Sequence, residues 1–136
     1  MSEKNKAIVQ QAYSNFKTGN IEGLLSLLSD DVKWELPEIE NVPFGGKRAG
    51  RPAVGEFFKI VSQSEEALSF EPRESIAEGD KVVSLGRYEW RVKANGRKFA
   101  SDFAHVFTIR DGKIVAFNEF TDTAAASRAY RKAMTA

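Results

Sequence analysis

The segment HVFTIRDGKIVAFNEFTDT, residues 105–123, carries the strongest indication of the fold. Aromatic and β-branched residues lie on both sides of Asp111-Gly112, a dipeptide that favours a hairpin turn. The segment therefore predicts two antiparallel strands, on each of which residues two positions apart share a face.

Further turn dipeptides divide the chain upstream of this hairpin. Gly79-Asp80 and Asn95-Gly96 separate stretches that are rich in strand-forming residues. The sequence predicts four long strands, over residues 69–78, 81–93, 98–110 and 113–122.

The first third of the chain predicts helices. Ile8, Ala12 and Phe16 recur every four residues, and Asn20 is placed to cap a second short helix, so two helices are expected within about residues 3–28. Alternation through Trp34 predicts a short strand that ends at Pro37.

A loop and a third helix are expected next. Prolines and glycines between Pro37 and Gly50 favour a loop, and Pro52 suits the first turn of a helix. Val54, Phe57 and Val61 would form the apolar face of that helix. The Ala-rich tail, 124–136, predicts a terminal helix with Asp122 as its cap.

This order of elements predicts an α+β protein, and 136 residues fit a single domain, 1–136. The absence of cysteine excludes disulfides and Cys-ligated metals. A net charge of +1 does not favour a nucleic-acid partner, and the lack of an apolar run of about 18 residues argues against a membrane span. We expect a cytoplasmic protein whose partner is a small apolar molecule.

The stretches FKTGNIEGLLSLLSDDVKWELPE (16–38), PFGGKRAGRPAVGEFF (43–58) and residues 105–123 together resemble the SnoaL-like, ketosteroid isomerase-like family of the nuclear transport factor 2-like superfamily. The resemblance implies a cone-shaped fold in which N-terminal helices pack on a strongly curved antiparallel sheet and enclose a hydrophobic pocket. It also implies a homodimer formed through the outer face of the sheet.

The family's catalytic positions transfer only in part. Leu36 stands where the isomerases carry their aspartate base, so that base is missing. Polyketide cyclases pair an acidic residue with a histidine, which His105 and Glu119 match. In the epoxide hydrolases an Arg and two Asp residues correspond to Arg87, Glu89 and Glu119.

The register of the hairpin at Asn95-Gly96 decides which side chains face the pocket. Three-residue loops with a bulged glycine at both C-terminal hairpins would place Arg87 and Glu89 beside His105, whereas a two-residue turn at Asn95-Gly96 would place Tyr88 and Trp90 there. We favour the first register because it agrees with the family's pocket face. The outer face would then hold a dimer contact made of Tyr88, Trp90, Asp102, Val106 and Phe120.

His105 is the only side chain that ordinarily titrates near neutrality, which suits a general acid or base. We predict a cofactor-independent acid/base enzyme, of isomerase, cyclase or hydrolase type, that acts on a small apolar carbonyl or polyketide-like compound. The predicted catalytic residues are His105, Glu119, Arg87 and Glu89. The predicted substrate-binding residues are Tyr13, Trp34, Leu36, Phe57, Phe58, Phe103, Phe107 and Phe117.

Two other functions stay open at this point. One is a non-catalytic small-ligand-binding or dimerisation module, which the loss of the isomerase base at Leu36 favours. The other is an epoxide hydrolase-like addition of water. No metal or cofactor is expected, because cofactor-free proton transfer is the chemistry that this set of residues supports.

Overall fold

Two helices begin the chain, as the apolar spacing predicts. A computed structural model describes residues 2–135, with side chains over residues 3–131. Helix α1 spans Ser2–Lys17 and α2 spans Ile21–Ser26. The predicted cap is confirmed, because Asn20 Oδ1 accepts a hydrogen bond from the backbone N–H of Gly23 at 2.9 Å.

The middle of the chain contains one element more than the sequence predicts. Strand β1 spans Leu28–Leu36, β2 spans Gly46–Ala49 and α3 spans Arg51–Ser64 with proline in its first turn. The four residues of β2 lie inside the predicted loop, too short to show an apolar pattern, and they pair antiparallel with β1.

Four long strands follow: β3 over Glu65–Glu78, β4 over Lys81–Val92, β5 over Lys98–Arg110 and β6 over Lys113–Thr121. The sheet order is β2-β1-β6-β5-β4-β3. Every neighbouring pair is antiparallel except β1 and β6, which run parallel. The α+β class and the long antiparallel strands are therefore confirmed, and the single parallel pair is a departure from the expected antiparallel sheet.

The favoured register between β4 and β5 is wrong. Val92 and Arg97 bracket a four-residue connection, joined by a hydrogen bond from the Val92 N–H to the Arg97 carbonyl at 2.8 Å. Loops of two and four residues place the same side chains of β4 on the face of His105, whereas a loop of three residues places the alternate side chains there. Arg87 and Glu89 consequently lie on the outer face, while Tyr88 and Trp90 lie on the inner face.

His105 and Glu119 share a face as expected, but the turn between β5 and β6 is not the expected three-residue loop. Asp111 and Gly112 form a two-residue turn with left-handed backbone, at φ of 52° and 77°. A register shift between Thr108 and Ile109 then supplies the odd residue that a bulged turn would have supplied. His105 and Glu119 are therefore directly paired across the two strands.

The curvature of the sheet has local causes. Strand β3 contains two register shifts against β4, and bulges of this kind bend a strand. Gly86 lies opposite Pro72 and Phe103, where an added Cβ would lie 2.4 Å from the Glu71 carbonyl oxygen and 2.6 Å from the ring of Phe103. Only glycine therefore allows the two backbones and the phenylalanine ring to approach this closely.

Helix α4, Thr123–Thr135, ends the described chain. Asp122 Oδ1 accepts from the backbone N–H of Ala125 at 3.1 Å, which confirms the predicted cap. The last residue of the predicted helix, Ala136, lies outside the described residues. Among the residues that are described, no helix has both the length and the apolar character that crossing a bilayer requires.

Candidate active site

The inner face of the sheet and the helices enclose a cavity of about 100 Å³. Its walls are mainly aromatic and aliphatic side chains, with a few polar groups among them. An engineered protein cavity of about 150 Å³ binds benzene. The cavity in this structure is of the same order but smaller, so it suits a molecule no larger than about one small ring.

His105 lies at the centre of a three-residue hydrogen-bond chain on the cavity wall. Its Nδ1 lies 2.7 Å from the hydroxyl of Tyr13 on α1, and its Nε2 lies 2.9 Å from Oε1 of Glu119 on β6. The histidine is 4% exposed. The two contacts fix the orientation of the ring, since each nitrogen has one partner.

A neutral imidazole satisfies both contacts in either of two proton arrangements. In one, the Tyr13 hydroxyl donates to Nδ1 and the Nε2–H donates to the Glu119 carboxylate. In the other, a protonated Glu119 donates to Nε2 and the Nδ1–H donates to Tyr13. The second arrangement holds one proton more than the first. That proton can lie on Glu119 or on Nε2 along the same hydrogen bond, so His105 can take a proton from Glu119 or return it.

Aromatic rings surround this hydrogen-bond chain. Phe103 stacks on His105 at 4.2 Å between ring centroids, and Phe117 meets the imidazole edge at 4.9 Å. Burial raises the pKa of the Tyr13 hydroxyl, against a hydrogen bond with Ser84 that lowers it, and the charge of Glu119 raises it further. Tyr13 therefore stays protonated and is available as a donor at neutral pH.

Trp34 carries an unused hydrogen-bond donor. Its side chain lines the cavity and stacks on Phe117 at 4.0 Å. Among the side chains that the structure describes, its indole Nε1–H is the single buried polar group without a hydrogen-bond partner. Because leaving a buried donor unpaired costs about 1–3 kcal/mol, a ligand that accepts this hydrogen bond would recover that energy.

A second carboxyl group, that of Glu65, also lines the cavity. Glu65 follows α3 directly, is 5% exposed, and accepts a 2.5 Å hydrogen bond on Oε1 from the hydroxyl of Tyr130 on α4. Burial raises the pKa of Glu65 from 4.5 to about 8, the Tyr130 hydrogen bond lowers it, and the charge of Glu119 raises it. Glu65 is therefore mostly protonated at neutral pH.

A chain of hydroxyl groups lies beside the two carboxyl groups. Tyr88 donates to Thr121 at 2.7 Å, and Thr121 donates to Ser101 at 3.0 Å. Burial raises the pKa of Tyr88, and the charges of Glu119 and Glu65 both raise it as well. Tyr88 lines the cavity, and the charges of both carboxyl groups act on its hydroxyl.

The structure brings together most of the residues predicted from the sequence. His105 and Glu119 line the cavity and are bonded to each other. The predicted binding residues at its wall are Tyr13, Trp34, Leu36, Phe57, Phe58, Phe107 and Phe117. Phe103 lies on the same face but is buried against the His105 ring rather than at the wall.

Two predicted catalytic residues lie elsewhere. Arg87 pairs on the outer face with Asp102 at 3.2 Å, and both side chains are exposed. Glu89 is on the same outer face as Arg87. The Arg87, Glu89 and Glu119 arrangement that the epoxide hydrolase resemblance implies is therefore not assembled in this fold.

Sequence reasoning missed Glu65 and Tyr130, although a signal for Glu65 was present. The apolar stripe of α3 passes through Phe57 and Val61, and Glu65 is the next position, four residues on. A carboxyl group at the next position of an apolar stripe indicates burial. Tyr130 had no comparable local signal, because its partner is 65 positions away.

The fold and this cavity define a small α+β protein with a curved sheet around a mainly apolar site. The family model for the SnoaL-like domain matches residues 9–117, so the chain belongs to the SnoaL-like family. No curated protein matches the chain in sequence.

Solved structures agree with this assignment. A nuclear transport factor 2-like protein from Burkholderia xenovorans superposes with a TM-score of 0.87 at 29% identity, over 96% of this chain and 98% of that one. One of unknown function from Burkholderia pseudomallei gives 0.83 at 29%, with the same coverage. TerC, which was co-crystallised with polyporic acid, gives 0.82 at 31% over 94% of this chain and 98% of its own.

Proposed function

We propose that the protein is a cofactor-independent acid/base enzyme that removes and returns a proton on a small apolar carbonyl or polyketide-like compound. The observation that carries this proposal is the Tyr13–His105–Glu119 hydrogen-bond chain in the wall of an otherwise apolar cavity. TerC, which is 31% identical, was co-crystallised with polyporic acid, and this supports an organic compound as the ligand of this chain.

Glu119 is the group that meets the substrate. Both ring nitrogens of His105 are bonded, and only one oxygen of Glu119, Oε1, is held by the imidazole. Because Glu119 lines the cavity, we assign its other carboxylate oxygen to remove a proton from a carbon next to a carbonyl group. His105 acts as a positioning residue that shares the proton with Glu119, and Tyr13 fixes the imidazole from its other side.

The negative charge that develops on the substrate's carbonyl oxygen needs a hydrogen-bond donor. When the C–H bond breaks, its electrons form the enolate double bond and the carbonyl oxygen becomes negative. We assign the unpaired Nε1–H of Trp34 to this oxygen, because a donor already fixed in a water-poor site stabilises such charge without reorganisation. Returning the proton to another carbon gives an isomer. Attack of the enolate carbon on a second carbonyl closes a ring, and the alkoxide formed there takes the proton that Glu119 holds.

Exchange of substrate protons with solvent tests this proposal without knowledge of the natural substrate. Cyclohexanone in D₂O is followed by NMR with the wild-type protein, with Glu119→Gln, and with the exposed surface control Glu71→Gln. We expect the wild type and the control to accelerate deuterium incorporation, and Glu119→Gln to lose about 10²-fold of the protein-catalysed rate or more. Equal rates in wild type and Glu119→Gln would reject the role of Glu119.

A non-catalytic ligand-binding module is the second candidate, and the aliphatic Leu36 at the cavity wall favours it. The same experiment distinguishes the two. Binding of cyclohexanone without any acceleration of exchange by the wild type would favour the binding module over the enzyme.

We further propose that a second copy of the chain covers the outer face of the sheet. Apolar side chains run across neighbouring strands there, with Phe120 next to Ala104 and then Leu85, and with Val106 next to Val83 and then Ile76. Phe120 and Ile76 are 57% and 53% exposed in the isolated chain. This surface differs from the expected one, because Tyr88 and Trp90 face inward.

Light scattering coupled to size-exclusion chromatography tests this assembly. The wild type is expected to have twice the mass of one chain, and Phe120→Asp is expected to shift it to the monomer, since the charge would be buried in the contact. A wild type that is monomeric at all accessible concentrations would refute the dimer.

A further inference from the structure

Glu65 and Tyr130 form a second polar group in the cavity wall that proton transfer at Glu119 does not use. Glu65 lies at the junction of α3 and β3, whereas His105 and Glu119 lie on β5 and β6. Both carboxyl groups nevertheless line the same cavity. A ligand in this space therefore meets two carboxyl groups of different character.

The contacts of Glu65 give it a defined role in hydrogen bonding. Tyr130 donates to Oε1 at 2.5 Å, so the acid proton resides on the other oxygen. A protonated carboxyl group keeps one O–H for donation, and an ionised one has none. Three groups act on this carboxyl or sense it: Tyr130 from α4, Glu119 from β6 and Tyr88 from β4. Burial dominates among these influences and holds the carboxyl in its neutral form at neutral pH.

The two carboxyl groups line one cavity of about 100 Å³, and the charge of Glu119 raises the pKa of Glu65. Tyr88 lines the same cavity, and the charges of both carboxyl groups raise its pKa. One small ligand can therefore contact both groups at once. An oxygen atom near Glu65 would receive the hydrogen bond that this acid can donate, and an oxygen near Trp34 would receive the indole N–H.

We propose that Glu65, held by Tyr130, is a second ligand-binding subsite that donates a hydrogen bond to a further oxygen of the substrate. The substrate class is then a small compound with two oxygen functions, a diketone or hydroxyketone, with one oxygen near Trp34 and the other at Glu65. This assignment deepens the proposed function and rests on it for the placement of the reacting carbon near Glu119.

A pair of ring ketones tests the subsite. Cyclohexane-1,4-dione and cyclohexanone have nearly the same size and differ by one carbonyl oxygen. Dissociation constants are measured by NMR titration at pH 6.5 for the wild type, Glu65→Gln and Glu65→Leu, with circular dichroism as a check of folding. The wild type is expected to bind the dione about tenfold more tightly than the monoketone, the size of one neutral hydrogen bond.

The variants separate hydrogen bonding from a merely structural role. Glu65→Gln keeps a donor and should retain the preference for the dione, whereas Glu65→Leu should lose it. Raising the pH to 9.5 ionises Glu65 and should abolish the preference in the wild type but not in Glu65→Gln, which has no acid proton to lose. If Glu65→Leu fails to fold, this pH comparison still decides the matter.

Retention of the dione preference in folded Glu65→Leu would overturn the subsite, as would the same loss at high pH in Glu65→Gln. Because binding is measured without turnover, the subsite and the catalytic proposal fail separately. Loss of the preference in Glu65→Leu together with no acceleration of proton exchange by the wild type would leave the subsite standing and reject the enzyme.

Discussion

Glu119 and Glu65 are the same kind of side chain in the wall of the same cavity, yet their partners give them different chemistry. Glu119 bonds an imidazole, which can exchange a proton with it. Glu65 bonds a phenol whose own pKa is raised by burial and by Glu65, so Tyr130 donates a hydrogen bond without giving up its proton. The comparison teaches that the partner and the burial of a carboxyl group, rather than its presence in a cavity, decide whether it moves protons or holds one.

The largest effect expected from this comparison is on stability as a function of pH. Below pH 4.5, Glu65 is protonated in both the folded and the unfolded chain. Between 4.5 and about 8 the unfolded chain releases this proton while the folded protein keeps it, so the free energy of unfolding falls as the pH rises. Above about pH 8 Glu65 is ionised in both states, so its contribution to the free energy of unfolding no longer changes with pH.

Glu65→Gln removes this dependence because glutamine does not titrate. The variant is expected to be more stable than the wild type by about 3 kcal/mol at pH 7, and its stability should be flatter between pH 4.5 and 8. Urea denaturation at a series of pH values measures both quantities. Parallel curves for the two proteins would show that Glu65 is not held neutral in the fold.

Tyr130→Phe tests the partner of Glu65. Removing the hydroxyl takes away a hydrogen bond that lowers the pKa of Glu65, so that pKa should rise further. We expect a loss of about 1–2 kcal/mol at pH 7, because a buried oxygen loses its donor. The pH at which the dione preference disappears should move upward, and a downward shift would contradict the assignment.

Tyr13→Phe removes the corresponding hydroxyl group from the hydrogen-bond chain that contains Glu119. The Nδ1 of His105 loses its hydroxyl partner, at a cost of about 1 kcal/mol. Deuterium exchange into cyclohexanone should slow by a smaller factor than in Glu119→Gln, since Tyr13 positions the imidazole and does not itself take the substrate proton. A loss as large as that of Glu119→Gln would instead make Tyr13 a catalytic residue.

The smallest effect is expected outside the cavity. Arg87 and Asp102 form an ion pair in which the side chains are 47% and 82% exposed. Arg87→Ala should change the free energy of unfolding by less than about 1 kcal/mol, because water screens such pairs. A larger loss in urea denaturation would show that the outer face contributes more than its exposure indicates, as it would if a second copy covered it.

Much of the fold follows from local sequence patterns. Apolar spacing locates α1 and α3, turn dipeptides locate the hairpins, and Asn20 and Asp122 are identified as caps from their positions. These signals are strong because they arise from interactions within a few residues. Strand β2 and the first residues of β3 escape prediction, since a four-residue strand and a direct helix-to-strand junction leave no pattern.

The candidate site is predictable only in part. The sequence indicates the pair of His105 and Glu119, whereas the faces on which Arg87 and Glu89 lie depend on the length of a loop. His105 stands out as the sole histidine, and its pairing with Glu119 follows from one hairpin. The faces of Arg87 and Glu89 depend on whether a connection contains an odd or an even number of residues, a small difference in turn energy that reverses every side chain on the strand.

The sequence by itself determined the α+β class, the helix and strand order, and the single histidine as a candidate for proton transfer. Only the tertiary structure decided that Tyr13, 92 positions away, bonds that histidine, and that Glu65 is buried against Tyr130. The physical reason is that helices, turns and caps are stabilised by near neighbours, whereas the environment of a side chain in the cavity is set by elements that meet only when the whole sheet curves around the helices.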